Sequence, residues 1–259
     1  NDVIAQVMAT RAEYEFATAN REIHYLWKID EEELLEQIKE EFEQMPHLYI
    51  ADGHHRSASS YLLAQESKAA NANHTGKEAY NYFLSYLISE SNLKIHEFSR
   101  LITDLNGHTK EEFLIQLDEY FRIENHGMEV YKPMQKHHFN MYLDGEFYSL
   151  YLRKTNYEFG DSLSKLDPYI LYKKVLQPIL GIEDLRNDKR ISYIHGKNDL
   201  IEIKTRIDKG EFAVGFGMLP LSIKEIKETA DEGLTMPPKS TYIEPKLLSG
   251  LTIYEFEIN

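Results

Sequence analysis

An apolar segment, a single glycine and a helix-forming run follow one another within residues 48–64, and this order constrains the local fold tightly. Residues 48–50 predict a short buried strand, and residues 57–64 predict a helix whose first turn carries hydroxyl groups. Gly53 lies between them, where a sharp turn needs a residue without a side chain. The segment therefore predicts a strand, a tight turn and a helix N-terminus.

The predicted turn carries four ionisable side chains, which are Asp52, His54, His55 and Arg56. A helix N-terminus presents unpaired N–H groups and the positive end of the helix dipole, so it suits an anion and above all phosphate. A guanidinium can bind an oxyanion through two parallel hydrogen bonds, and a histidine can donate one or two. We therefore predict a phosphate-binding turn that includes Gly53, Arg56 and Ser57.

Each charged residue of the turn also has a structural explanation. Asp52 can cap the helix or pair with Arg56 instead of acting as a general base or a Mg²⁺ ligand. Adjacent helical side chains point about 100° apart, so His54 and His55 are not both expected to face one pocket. We expect at least one of them to contact phosphate.

The composition limits the classes of function. The chain has 259 residues and a net charge of −14, and an acidic chain repels a phosphate backbone, so we expect no nucleic-acid partner. No apolar run approaches the roughly 18 residues of a membrane span, so we expect no membrane partner. The absence of cysteine excludes disulfides and is typical of a reducing compartment, which predicts a cytoplasmic protein.

Periodicity and turn signals predict strands and helices in a mixed order. The predicted strands are 13–18, 23–29, 80–88, 94–105, 137–143, 146–153, 190–195, 211–217 and 251–258. Asp30 and Thr109 are expected to cap two of the helices, which are 30–46, 110–120, 168–178, 199–207 and 222–232, besides the one after Gly53. Because no clean βαβ repeat is present, the fold class is predicted as α+β, with mixed sheets and packed helices.

A weak boundary is expected near residues 156–164. It would divide the chain into an α+β domain, 1–155, that carries the Asp-Gly-His-His-Arg turn, and a C-terminal α/β portion, 156–259. A second motif lies in that portion, where residues 236–246 read Met-Pro-Pro-Lys-Ser-Thr-Tyr-Ile-Glu-Pro-Lys.

The three prolines of this second motif fix φ along the backbone, so its polar side chains project from a stiffened loop. These side chains are Lys239, Ser240, Thr241, Glu244 and Lys246. Two cations and two hydroxyls would suit a phosphate, with Glu244 as a base or metal ligand. Each of these side chains also has a structural explanation. The lysines can be solvated surface residues, the two hydroxyls can belong to turn residues, and Glu244 can pair with a lysine.

Together the two motifs resemble the signatures of domain-of-unknown-function family one thousand and fifteen. The matching stretches are residues 49–58 and 236–250, together with His24-Tyr-Leu-Trp27, Arg100 and Leu176-Gln-Pro-Ile-Leu-Gly-Ile182. They follow the family's order and run over nearly the whole chain. Members carry a further N-terminal portion, and because this chain starts with Asn, we expect an upstream portion to be missing.

The resemblance implies an activity. Part of the family resembles a free-serine kinase that makes O-phosphoserine, with pyrophosphate as the expected donor. The first motif also resembles the phosphate-binding turn of ParB-like and sulfiredoxin-like folds, which include a nucleotide-dependent serine kinase and CTP-binding partition proteins. The first hypothesis is therefore a Mg²⁺-dependent phosphotransferase that uses L-serine and pyrophosphate or a nucleotide. A non-enzymatic nucleotide- or phosphate-binding regulator is the second hypothesis, and a phosphatase is the third.

Under the first hypothesis the site residues have two kinds of role. The predicted catalytic residues are Asp52, His54, His55, Arg56 and Glu244, and Asp52 is also the predicted Mg²⁺ ligand. The predicted phosphate-binding residues are Gly53, Arg56, Ser57, Arg100, Lys239, Ser240 and Lys246.

Overall fold

Helices and strands alternate irregularly in the computed structural model, which describes residues 2–19, 21–196 and 199–256. The α-helices are α1 (Asp2–Met8), α2 (Glu32–Glu43), α3 (His54–Ala70), α4 (Lys110–Tyr120), α5 (Asp167–Leu171), α6 (Asp199–Asp208) and α7 (Ile223–Asp231). The strands are β1 (Tyr14–Ala17), β2 (Ile23–Leu26), β3 (Lys94–His96), β4 (Ser99–Ile102), β5 (Phe121–Gly127), β6 (His138–Leu143), β7 (Glu146–Leu152), β8 (Ile191–Ile194), β9 (Val214–Gly217) and β10 (Tyr242–Glu244). The predicted α+β class is confirmed, and every strand pairing among the described residues is antiparallel, where mixed sheets were predicted. No helix in these described ranges combines the length and apolar character that a membrane span requires.

The chain divides into two compact units, Asn1–Ile50 and Ala51–Asn259. In the first unit, β1 and β2 form an antiparallel hairpin. The predicted N-cap of α2 is wrong, because Asp30 forms an ion pair with Lys28 at 2.8 Å and Glu31 occupies the cap position. The predicted strand 48–50 is also wrong, since no strand pairs with this segment in the described part of the chain and its backbone is irregular.

A six-stranded antiparallel sheet organises the second unit, in the order β5-β7-β6-β9-β4-β8. Successive strand residues point to opposite faces, so Met141 and Tyr142 belong to different cores. Met141 packs in the larger core with residues of α4 and α5, and Tyr142 packs in the smaller one with residues of α6. Strands on both sides of residue 155 share this sheet, and the predicted boundary at 156–164 stays a prediction.

Local signals in the second unit are confirmed where short-range interactions decide the structure. Thr109 accepts a hydrogen bond from the Glu112 amide and completes a capping box at α4. Asp144 and Gly145 both have positive φ, 49° and 82°, as a tight two-residue hairpin turn between β6 and β7 requires.

Three strand predictions in this unit are corrected. Residues 80–88 form no strand, because the 3₁₀ turn Ala79–Asn81 opens the segment and no described strand pairs with the rest of it. The predicted strand 94–105 is two strands, β3 and β4, which belong to different sheets. Residues 251–256 form no strand, and the end of the predicted strand 251–258 lies outside the described residues. Strands β5 and β10 were not predicted.

Candidate functional site

The first motif forms the N-terminus of α3, a helix of 17 residues. Gly53 is the N-cap and has φ of 81°, a left-handed conformation that side-chain-bearing residues seldom adopt. A Cβ atom at this position would lie 3.0 Å from Nη2 of Arg56, so the exposed guanidinium would have to shift by a few tenths of an ångström to admit a side chain. The Ser57 amide donates to the Gly53 carbonyl at 2.9 Å, and the helix amides before it have no intrahelical acceptor.

An exposed ion pair spans the turn. Nη2 of Arg56 lies 3.1 Å from Oδ2 of Asp52, and these side chains are 80% and 57% exposed. His54 and His55 are exposed as well. An exposed pair of this kind contributes about 0–1 kcal/mol to stability. Either side chain can therefore leave the pair and bind a ligand with little loss of stability.

The second motif supplies another cation to the same carboxylate. Nζ of Lys246 lies 4.0 Å from Oδ1 of Asp52, so Asp52 faces positive groups from both motifs. Lys246 also lies over the ring of Tyr242, with Nζ 4.5 Å from the ring centroid. Asp52, Arg56 and Lys246 are therefore the predicted residues that the structure brings together.

Pairing of β10 with β3 sets the position of Glu244. Its carboxylate contacts Nε2 of His96 at 3.1 Å, whereas the sequence alternative was a lysine partner. The ring of His195 stacks on Tyr242 with centroids 3.9 Å apart, and the rings of Phe98 and Tyr242 form a T-shaped pair. The tail thus crosses an aromatic and imidazole surface.

Arg100 and Ser240 support the second motif from the interior. Arg100 is 2% exposed, and its guanidinium donates to the main-chain carbonyls of Phe98 and Lys239, the latter at 3.2 Å. Burial lowers the pKa of Arg100 to about 10. Oγ of the buried Ser240 donates to the Pro237 carbonyl at 2.7 Å. Their predicted contact with phosphate stays a prediction.

Lys239 itself is exposed and lies over the ring of Phe98, with Nζ 5.2 Å from the ring centroid. Its backbone has φ of 56°. Among the interactions of the described residues, none joins Lys239 to Arg56.

Asp52 is the residue that could hold a metal ion at this site. Within the described residues no group of three histidine or acidic side chains forms a metal cluster. Protein sites for Mg²⁺ commonly use one or two carboxylates and complete the shell with substrate phosphates and water. An exposed single carboxylate fits that donor set, so Asp52 is compatible with a metal that arrives with a phosphate donor.

Sequence reasoning missed two histidines that contact the tail, His96 and His195, and the tail residue Tyr242, on which His195 stacks. Tyr242 lies within the second motif but has no charge or unusual spacing to distinguish it. The two histidines end β3 and follow β8, and only the strand pairings bring them to the tail. No signal in the sequence places them there.

Comparison with known proteins gives one family match. The sequence matches the model of a family described as "Protein of unknown function (DUF1015)" over residues 1–169. No curated protein sequence matches the chain.

Several solved structures are similar at low identity. One is a free serine kinase mutant in complex with AMP, which has 15% sequence identity and a TM-score of 0.40. Another is a free serine kinase mutant in complex with ADP, which has 15% sequence identity and a TM-score of 0.39. In both cases the similarity covers 75% of this chain and 66% of the other chain. A conserved hypothetical protein from Pyrococcus furiosus has 13% identity, coverage of 75% and 69%, and a TM-score of 0.37. Similarity at this level carries no information about substrate.

Proposed function

The chain belongs to the family described as "Protein of unknown function (DUF1015)", and from this membership and its site geometry we propose that it is a phosphotransferase that phosphorylates the hydroxyl of free L-serine. The observation that carries the proposal is the position of Asp52 between Arg56 and Lys246. A carboxylate that meets cations from two distant motifs has the composition of a phosphoryl-transfer site, which needs a base and charge neutralisation.

The donor would bind at the α3 N-terminus. Arg56 can hold two phosphate oxygens at once, and the first helix amides supply further donors. Lys246 adds a second cation on the other side of Asp52. Because both ion pairs of Asp52 are exposed, a bound phosphate replaces them at small cost.

Asp52 would accept the proton of the serine hydroxyl. The hydroxyl oxygen then attacks the terminal phosphorus of pyrophosphate, and the bond between that phosphorus and the bridging oxygen breaks. The products are O-phosphoserine and phosphate, and Arg56 and Lys246 neutralise the charge that moves to the leaving group. A Mg²⁺ ion, for which Asp52 is the candidate ligand, would supply further neutralisation of the donor phosphates.

The test is a direct assay of O-phosphoserine by mass spectrometry. The purified protein is incubated with L-serine, Mg²⁺ and, in separate reactions, pyrophosphate, ADP or ATP. We expect product with at least one donor and none above background for Arg56→Ala. Arg122→Ala is the matched control, because Arg122 is another exposed arginine paired with a carboxylate, that of Glu124.

Absence of product with all three donors contradicts the proposal. Two further measurements then distinguish the remaining functions. Calorimetry that shows binding of a nucleotide without turnover indicates the regulator. A phosphate assay that shows release of phosphate from O-phosphoserine without any donor indicates the phosphatase.

A further inference from the structure

Arg100 is a buried cation without an acidic partner. It lies on β4, and none of the ion pairs among the described residues includes it. Buried charges in proteins usually pair with an opposite charge, because the loss of hydration is otherwise uncompensated. Arg100 instead donates to two main-chain carbonyls and lies 3.5 Å from Sδ of Met218. These hydrogen bonds hold the two carbonyls in fixed positions around the buried guanidinium.

The two carbonyls belong to segments that are distant in sequence. One is that of Phe98, immediately before β4, and the other is that of Lys239, in the second motif. One guanidinium therefore joins the sheet to the tail. The side chains of these two residues also meet, since Nζ of Lys239 lies 5.2 Å from the ring centroid of Phe98.

The backbone that Arg100 contacts needs such support. Lys239 has φ of 56°, a left-handed conformation that is energetically unfavourable for a residue with a side chain. The bond from Ser240 Oγ to the Pro237 carbonyl holds the same turn from the other side. The direction of the Lys239 side chain depends on this turn, because an ordinary φ would point the chain elsewhere.

We propose that Arg100 is a positioning residue that holds the Lys239 turn, so that the exposed ammonium of Lys239 contacts the phosphate donor. In this role Arg100 acts through the Lys239 turn, in place of the direct phosphate contact that the sequence predicts for it. The claim that Lys239 contacts a phosphate donor rests on the proposed function. The claim that Arg100 holds the Lys239 turn does not rest on it. Two experiments test the two claims separately.

The first experiment needs no ligand. Hydrogen exchange is measured by mass spectrometry for Arg100→Lys, which keeps the charge but loses the planar fork. We expect about tenfold faster exchange in residues 236–242 and unchanged exchange in β6 and β7. Arg190→Lys is the matched control, because Arg190 also donates to two main-chain carbonyls, those of Leu180 and Gly181.

Arg100→Gln is a second variant that removes the buried charge, and it is expected to give the same local increase. If either folded variant leaves exchange in residues 236–242 unchanged, the inference is wrong.

The second experiment is a double-mutant cycle with pyrophosphate titrated by calorimetry. We expect Arg100→Lys and Lys239→Met each to weaken binding about tenfold, and the double variant to bind no more weakly than Lys239→Met alone. Additive losses would show that Arg100 does not act through Lys239 and would overturn the inference. If the unmodified protein binds no pyrophosphate, the proposed donor fails, and the exchange measurement still decides whether Arg100 holds the turn.

Discussion

At residue scale, the candidate site depends on Gly53 and Asp52 for different reasons. Gly53 supplies a backbone conformation and leaves room for the guanidinium of Arg56. Asp52 supplies a carboxylate that two cations approach. The first requirement is steric and the second is chemical, so substitutions at the two positions are expected to have different consequences.

Gly53→Ala is expected to lower the free energy of unfolding by about 1–2 kcal/mol, because φ of 81° strains an alanine backbone. It is also expected to displace Arg56 and weaken binding of pyrophosphate. Urea denaturation and calorimetry measure the two effects. Gly160→Ala is the control, since Gly160 lacks a positive φ and has open space beside it. Equal stability of the two variants would contradict this account.

Asp52→Asn is expected to reduce turnover by about 100-fold or more, because an amide cannot accept the hydroxyl proton. Donor binding should persist, since the substitution frees Arg56 and Lys246 for phosphate. Steady-state kinetics with a separate binding titration measure both quantities. Asp118→Asn, which alters another exposed aspartate paired with an arginine, should leave turnover unchanged. Loss of binding with normal turnover per bound donor would exclude Asp52 as the base.

At the scale of elements, a helix cap depends on local interactions, whereas a strand depends on pairing with a segment that is distant in sequence. The capping box of α4 is complete within four residues, from Thr109 to Glu112, and the sequence predicts it. The segment 80–88 has an apolar pattern that predicts a strand. It forms no strand, because a strand also requires a neighbouring strand to pair with. A cap is decided within one turn of chain, and a strand is decided by its partner.

Thr109→Ala is expected to lower the free energy of unfolding by about 1 kcal/mol, since it removes the acceptor for the Glu112 amide. Urea denaturation followed by far-UV circular dichroism measures the change. Thr252→Ala, an exposed threonine outside any helix, is the control and should be neutral. A neutral result for Thr109→Ala would mean that the cap does not stabilise α4.

The β6–β7 hairpin carries a pH-dependent contact with α4. Hydrogen bonds from Lys110 and Tyr148 lower the pKa of Glu146 from its ordinary 4.5 to about 2. A lowered pKa in the folded state means that this contact stabilises the protein above pH 4.5 and is lost as the pH falls toward 2. Glu146→Gln should therefore flatten the dependence of unfolding free energy on pH in that interval. Glu129→Gln, an exposed glutamate, should leave the dependence unchanged.

At the scale of the whole molecule, the chain is acidic overall, with a net charge of −14, yet it gathers cations around Asp52. The six strands of the large sheet all lie between Ser99 and Gly217, whereas Lys239 and Lys246 come from the tail that follows. The second motif therefore lies outside the part of the sequence that forms the sheet.

Removal of residues 236–259 is expected to leave the six-stranded sheet folded and to abolish pyrophosphate binding. Near-UV circular dichroism tests the first outcome and calorimetry tests the second. The matched control is removal of residues 251–259 alone, which keeps both lysines and should keep binding. A shortened protein without the second motif that still binds pyrophosphate would show that the tail is not part of the site.

The sequence by itself determined those features that short-range interactions decide. The Gly53 turn, the Thr109 cap, the Asp144-Gly145 hairpin and the α+β class all follow from backbone preferences and side-chain patterns over a few residues. Only the tertiary structure decided which charged groups from distant segments meet. Strand pairing places Glu244 against His96, and packing buries Arg100 beneath the Lys239 turn and brings Lys246 to Asp52. These contacts depend on register and packing between distant segments, which no local pattern encodes.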